Sequence, residues 1–185
     1  MKKTLFFLAV IASVFSGCGD VSKQSAKVID SAVDGLEYQC AGDVQFTKSD
    51  GSMECYHTPI GFKVGGVIIG SIDKIPADGI VLPQDILNLK RSDIDNDDVK
   101  KLTILLQSID EDANPENGIK ITKENTDKLD VFIDLKKIDL ETFKELLGNL
   151  LEKNITDETQ ALKHLQKSMK QLNMPEAEAI NLDEI

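Results

Sequence analysis

At Pro83 the hydrophobic pattern of this chain changes period, and that change limits its fold more than any other feature. Before Pro83, apolar residues come in short alternating or extended runs: Val44-x-Phe46, Met53-x-Cys55, Phe62-x-Val64 and Val67-Ile68-Ile69. Asp34-Gly35, Asp50-Gly51 and Gly65-Gly66 punctuate them. A repeat of two puts alternate side chains on opposite faces of a strand. After Pro83, Val99, Leu102, Leu105, Leu106 and Ile109 recur at helical spacing. The chain therefore reads as α+β: a small N-terminal β-sandwich-like unit over 27–82, followed by a C-terminal, mainly helical part over 83–174.

Local signals give finer expectations. Asp34-Gly35 predicts a hairpin joining Val28-Ile29 to Leu36-Glu37-Tyr38. Gly65-Gly66 predicts a bulge or a close backbone approach. Pro83-Gln84-Asp85 looks like a helix start. Asp95 or Asp97 is expected to cap the Val99–Ile109 helix, and Asp139 or its neighbour one carrying Leu140, Phe143 and Leu147. Thr156-Asp157-Glu158 opens a last helix with Ala161, Leu162, Leu165 and Met169 on one face. Residues 175–185 read as a loose acidic tail.

The strongest apolar run lies elsewhere. Met1-Lys2-Lys3 precedes Thr4 to Phe15, and Ser16-Gly17-Cys18 follows. A basic start, an apolar stretch and small residues, in that order, make a secretory signal over 1–17. The stretch is too short to span a bilayer, which takes about twenty apolar residues. Phe15-Ser16-Gly17-Cys18 resembles the lipobox of bacterial lipoproteins, with Phe15 in place of the usual Leu. The resemblance implies that Cys18 receives a diacylglycerol and becomes the new N-terminus. Two or three acyl chains, at about 0.8 kcal/mol per buried CH₂, hold a protein stably where one would not. Gly19 after the cysteine, rather than Asp, favours the outer membrane or cell surface over the inner membrane. Residues 18–26 read as a tether.

Export also sets the chemistry of the other cysteines. Cys40 and Cys55 would lie outside the cytoplasm, where disulfides persist. They flank Val44-Gln45-Phe46 and the Lys48–Gly51 turn, so a hairpin there would bring them together at its open end. Their spacing matches neither a Cys-x-x-Cys redox pair nor a zinc site. A structural disulfide is expected.

With 32 Asp+Glu against 21 Lys+Arg the net charge is −11, and removing Lys2 and Lys3 with the signal would deepen it to −13. The excess is concentrated after residue 91. An acidic surface disfavours nucleic acid and anionic lipid as partners.

Ser31-Ala32-Val33-x-Gly35-Leu36-x-Tyr38-x-Cys40, Thr47-x-x-x-Gly51, Phe62-x-Val64-Gly65-Gly66 and the segment from Leu105 to Ile121 together resemble a module near the N-termini of bacterial lipoproteins and large adhesin-like surface proteins. The similarity covers roughly 28–121. Its Thr-x-x-x-Gly turn is similar to that of small transthyretin-like sandwiches. The resemblance implies a β unit and brings no catalytic residue with it.

Two acidic clusters place oxygen ligands at alternate positions: Asp93-x-Asp95-x-Asp97 and Asp110-x-Asp112-x-Asn114-x-Glu116. Neither has the Gly and distal Glu of an EF-hand. Helix caps and turns account for both, and a structural calcium site at Asp110, Asp112, Asn114 and Glu116 stands as the alternative for the second. No cofactor is otherwise implied. His57 and His164 lack neighbours at ligand spacing and lie near no Gly-x-Ser-x-Gly elbow, so both read as exposed or incidental. No phosphate-binding loop is present in the sequence.

The expectation is an exported protein held at the membrane by a lipid on Cys18, not an enzyme. Its role would be structural or in binding an envelope or extracellular protein or glycan, adhesion included. A calcium-stabilised binding module and an envelope hydrolase with an unrecognised site are the alternatives.

Overall fold

Alternation of side chains makes the strands, and helix caps close off the helices, in an α+β structure. The computed structural model describes residues 22–179. In chain order the strands are β1 (Gln24–Val28), β2 (Val33–Asp34), β3 (Glu37–Cys40), β4 (Asp43–Phe46), β5 (Ser52–Cys55), β6 (Ile60–Val64), β7 (Val67–Ile72) and β8 (Ile80–Val81). Helices α1 (Pro83–Ile86) and α2 (Asp97–Ser108) follow, then β9 (Ile119–Lys120), α3 (Lys123–Asp127), β10 (Ile133–Asp134), α4 (Leu140–Leu151) and α5 (Glu158–Gln171). Single 3₁₀ turns occupy Pro115–Asn117 and Pro175–Ala179.

Five strands pair in the order β10-β7-β6-β3-β4, three in the order β5-β1-β8, and β2 pairs with β9. Tyr38, Phe62, Val64, Val67 and Ile69 of the larger sheet are buried with Ala26, Val28, Met53 and Val81 of the smaller. The Cys40–Cys55 disulfide joins β3 to β5, and so sheet to sheet. Beside it, the Tyr38 hydroxyl donates to the Glu54 carbonyl at 3.3 Å and accepts from the Glu54 N–H.

Helix α2 is the centre of the helical half. Every residue from Val99 to Ser108 is buried, including Lys100, Lys101, Thr103 and Gln107. Helices α4 and α5 pack on it, and one continuous apolar core runs from both sheets through these helices. Asp139 caps α4 by accepting from the Thr142 N–H at 2.9 Å, and Asp157 caps α5 through the Gln160 N–H. Among the described residues, no helix is long and apolar enough to cross a membrane.

Several local expectations are corrected. Gln24–Ala26, read as tether, belong to β1, where alternate Ala26 and Val28 are buried; a strand with only two inward side chains leaves little apolar signal. Asp34-Gly35 makes no hairpin, because β1 pairs with β5 and β8 while β2 runs parallel to β9. Gly35 instead turns the chain from β2 into β3, where a Cβ would lie 2.4 Å from the Ile121 carbonyl oxygen. Likewise β4 pairs with β3, not β5, so the disulfide bridges sheets rather than the mouth of a hairpin.

Helix α2 is capped by Asn96, whose side chain accepts from the Asp98 N–H at 2.9 Å, leaving Asp97 and Asp98 in its first turn. Pro175–Ala179 is a docked turn rather than loose tail, since Met174 and Ala177 are buried. The β unit and the helical part also interlock. β9 and β10, both from the second half, complete sheets begun in the first.

Candidate functional site

The turn between β1 and β2 carries Asp30 and Ser31. Ser31 has φ of 81°, a left-handed conformation rare outside glycine. The antiparallel bridge between Ile29 and Ala32 closes this turn. Below it, Asp30 is fully buried, and the Gln107 side-chain amide donates to both of its carboxylate oxygens. Burial pushes the Asp30 carboxyl well above the ordinary range, with Gln107 opposing it weakly.

Helix α5 brings His164 to this turn. Nε2 of His164 lies 3.0 Å from Ser31 Oγ, across 133 residues of sequence. On the other side of the ring, Nδ1 lies 3.4 Å from Glu116 Oε1 on the Pro115–Asn117 turn. The other oxygen, Glu116 Oε2, pairs with Lys167 one turn along α5. Lys167 first, and His164 less, hold the Glu116 carboxyl below its usual value. His164 is thus buried and engaged, not the exposed side chain the sequence predicts. His57 is exposed.

A cleft of about 240 Å³ is lined by residues that follow Ser31 and Glu116 along the chain, and not by Ser31, His164 or Glu116 themselves. Its walls include Ala32, which follows Ser31, and Asn117 and Gly118, which follow Glu116. Asp34, Glu111 and Asp112 make it acidic, with Lys120 the basic side chain in its wall.

The acidic loop itself is folded by its own backbone. Asp110 accepts from the Asn114 and Lys120 N–H groups, each at 2.8 Å, and Asp112 accepts from the Asn114 N–H at 3.0 Å and the Asn117 side chain at 2.9 Å. Burial raises the Asp110 carboxyl, while Asn117 and the Asn114 N–H lower that of Asp112. Glu116 is drawn to α5. Asp110, Asp112, Asn114 and Glu116 are therefore not gathered into one ligand shell. Among the described residues no group of three or more His, Cys, Asp or Glu is arranged to hold a metal ion. The loop is turn chemistry.

A second region lies at one end of the larger sheet. Strand β4 is an edge, paired only with β3, and Val44 and Phe46 are exposed on it. Strand pairing sets Phe46, Glu37, Lys63 and Ile68 side by side, with Asp134 of β10 next to Ile68. Lys63 pairs with Glu37 at 3.0 Å. Phe132, just before β10, is 80% exposed. Beside this row a cleft of about 420 Å³ separates Phe46 and Lys63 from Thr122 and Thr126 around α3.

Cys18 lies outside the described residues. The Cys40–Cys55 disulfide is present. Sequence reasoning missed Ser31 and misread His164, because a pairing across 133 residues has no local signature. The positive φ of Ser31 leaves no mark in the sequence either. Comparison with family models, with curated proteins and with solved structures finds no match to this chain.

Proposed function

We propose that this is an exported protein, lipid-anchored through Cys18, which holds another protein at the end of its sandwich remote from the anchor. The observation that carries the proposal is the pair Val44 and Phe46, exposed along the open edge of β4. Ile68, in the same cross-strand row as Phe46, and Phe132, beside the opposite edge strand β10, are exposed at the same end of the sheet. Single exposed apolar side chains are ordinary on a soluble surface, whereas a group along a sheet edge is a docking signal.

Register gives the orientation. The chain enters the fold at Gln24, which pairs with Cys55, so the anchor end carries Cys55 and its disulfide partner Cys40. On β3 and β4, Cys40 pairs with Asp43 while Glu37 pairs with Phe46, so Phe46 is at the other end. The Gly65-Gly66 turn follows Val64 near the Glu37–Lys63 pairing, and Phe132 immediately precedes the Ile133–Val67 pairing. All of these lie at the end of the sandwich opposite Gln24 and Cys55.

An open edge strand recognises an extended polypeptide by backbone hydrogen bonds, and alternate side chains then meet the exposed row. The occupant suited to this edge is an extended protein segment with apolar side chains at alternate positions.

Two measurements test the proposal. Palmitate labelling should be lost in Cys18→Ala; equal labelling refutes the anchor. A photo-crosslinking residue at Phe46 or Phe132 in intact cells should give a discrete protein adduct that Tyr56, at the anchor end, does not. Adducts equal at all three positions, only glycan adducts, or none would refute the docking end.

A further inference from the structure

We propose that Ser31, His164 and Glu116 form a nucleophilic site that cleaves acyl esters, with a preference for substrates bearing positive charge.

A serine hydroxyl is a weak nucleophile until a base takes its proton, and the base needs a third group to fix its tautomer. Here the base is in reach, with Nε2 of His164 3.0 Å from Ser31 Oγ. Glu116 Oε1, 3.4 Å from Nδ1, accepts a hydrogen bond from Nδ1–H, which leaves the Nε2 lone pair towards Ser31. Lys167 occupies the other Glu116 oxygen, so the two interactions coexist and the carboxyl stays charged.

A bond that merely pinned α5 to the turn would not need the third group. Ser31 holds a left-handed φ of 81° above the buried Asp30–Gln107 pair. Exposure divides as the chemistry requires. The His164 side chain is 7% exposed and Ser31 is only half-buried, so the base is shielded and the nucleophile reachable. The cleft whose wall begins at Ala32, the residue after Ser31, offers room for the rest of a substrate. Glu111 is already paired with Lys120 at 2.7 Å, so it is Asp34 and Asp112 that select for positive charge.

The reaction follows. Ser31 Oγ bonds to the ester carbonyl carbon as its proton passes to His164 Nε2. The bond from that carbon to the alkoxy oxygen then breaks, and His164 returns the proton to the departing alcohol. Water, deprotonated by His164, attacks the acyl-serine, releasing the acid and restoring Ser31 with its proton. Glu116 is a positioning residue throughout.

The test is covalent labelling of the full-length chain with a fluorophosphonate, followed by peptide mass mapping. The phosphonyl group should be found on Ser31 and be absent in Ser31→Ala. His164→Gln should slow labelling about 100-fold, the scale of a lost general base. Glu116→Gln, at a side chain 53% exposed, should slow it about tenfold or more. Hydrolysis of a choline ester should outpace that of a neutral ester of the same acid, and Asp112→Asn should narrow the gap. Melting temperatures accompany each variant, and one that has unfolded is read through Glu116→Gln instead. No adduct on folded wild type, an adduct on another serine, or labelling unchanged in Glu116→Gln would overturn the proposal.

Discussion

The carboxylate of Asp30 is fully buried, and the side-chain amide of Gln107 reaches its two oxygens at 3.1 and 3.3 Å. The same amide donates to the Ala161 carbonyl at 3.1 Å, so one side chain on α2 ties the β1–β2 turn to α5. These are the elements that carry Ser31 and His164. The pair therefore fixes the spacing across which those side chains meet.

Replacing Asp30 by Asn should stabilise the protein, increasingly so as pH rises. Burial raises the Asp30 carboxyl above its ordinary value of 3.8, so the folded state binds its proton more tightly than the unfolded state does. Stability from this group is complete below that value and is lost as pH climbs through the folded one. Asn keeps an acceptor for Gln107 and has no proton to lose. Urea unfolding at pH 4 and pH 8 should show the variant gaining on wild type by about 1–3 kcal/mol, the scale of desolvating one buried polar group. A gap that does not widen with pH would refute the account.

Lys101 is a second buried charge, and removing it should be costly. Its ammonium group donates to the Leu135 and Ile138 carbonyls, each at 2.6 Å, and pairs with Asp98 at 2.7 Å. The side chain is 3% exposed and clamps the segment after β10 onto α2. Lys101→Met preserves much of the volume but strands both carbonyls and the carboxylate. The expected loss is about 3–5 kcal/mol, read as a lower urea midpoint. A loss under about 1 kcal/mol would mean that water replaces the ammonium there.

What is legible in the sequence follows a rule of distance. Strands β3, β6 and β7 are readable because Tyr38, Phe62, Val64, Val67 and Ile69 alternate into one core. Helices α4 and α5 are readable because Asp139 and Asp157 stand three residues before the N–H groups they cap. Pairings between distant segments leave no trace. β9 and β10 are two residues each, too short for any period, and their partners lie in the first half of the chain. The Cys40–Cys55 bond forms as expected but not across a hairpin, because the spacing of two cysteines does not say which strands pair, and strand pairing decides what the bond joins. Ser31 and His164 are unreadable for the same reason as β9.

Because the disulfide joins two sheets, breaking it should loosen the sandwich and not just one hairpin. Cys40→Ala/Cys55→Ala should lose about 3 kcal/mol, the usual scale for closing a loop of 15 residues. Hydrogen exchange should then speed in both β3 and β5. Exchange confined to the 41–51 segment would indicate a purely local staple.

Gly51 and Gly42 provide a paired test of whether conformation or contact makes a glycine necessary. Both have left-handed φ, 76° at Gly51 and 94° at Gly42. Alanine at either position carries the strain of that region, about 1–2 kcal/mol. At Gly42 a new Cβ meets nothing within 4 Å, so Gly42→Ala should cost no more than that. At Gly51 it would lie 2.6 Å from the Val28 carbonyl oxygen and 3.3 Å from the Val33 nitrogen. Neither neighbour yields easily, since the Val28 N–H already donates to the Gly51 carbonyl at 2.9 Å within the small sheet. Overpacking of this kind adds about 1–3 kcal/mol. Gly51→Ala should therefore melt well below Gly42→Ala in side-by-side calorimetry, and equal melting would mean that β1 shifts away from the turn at little cost.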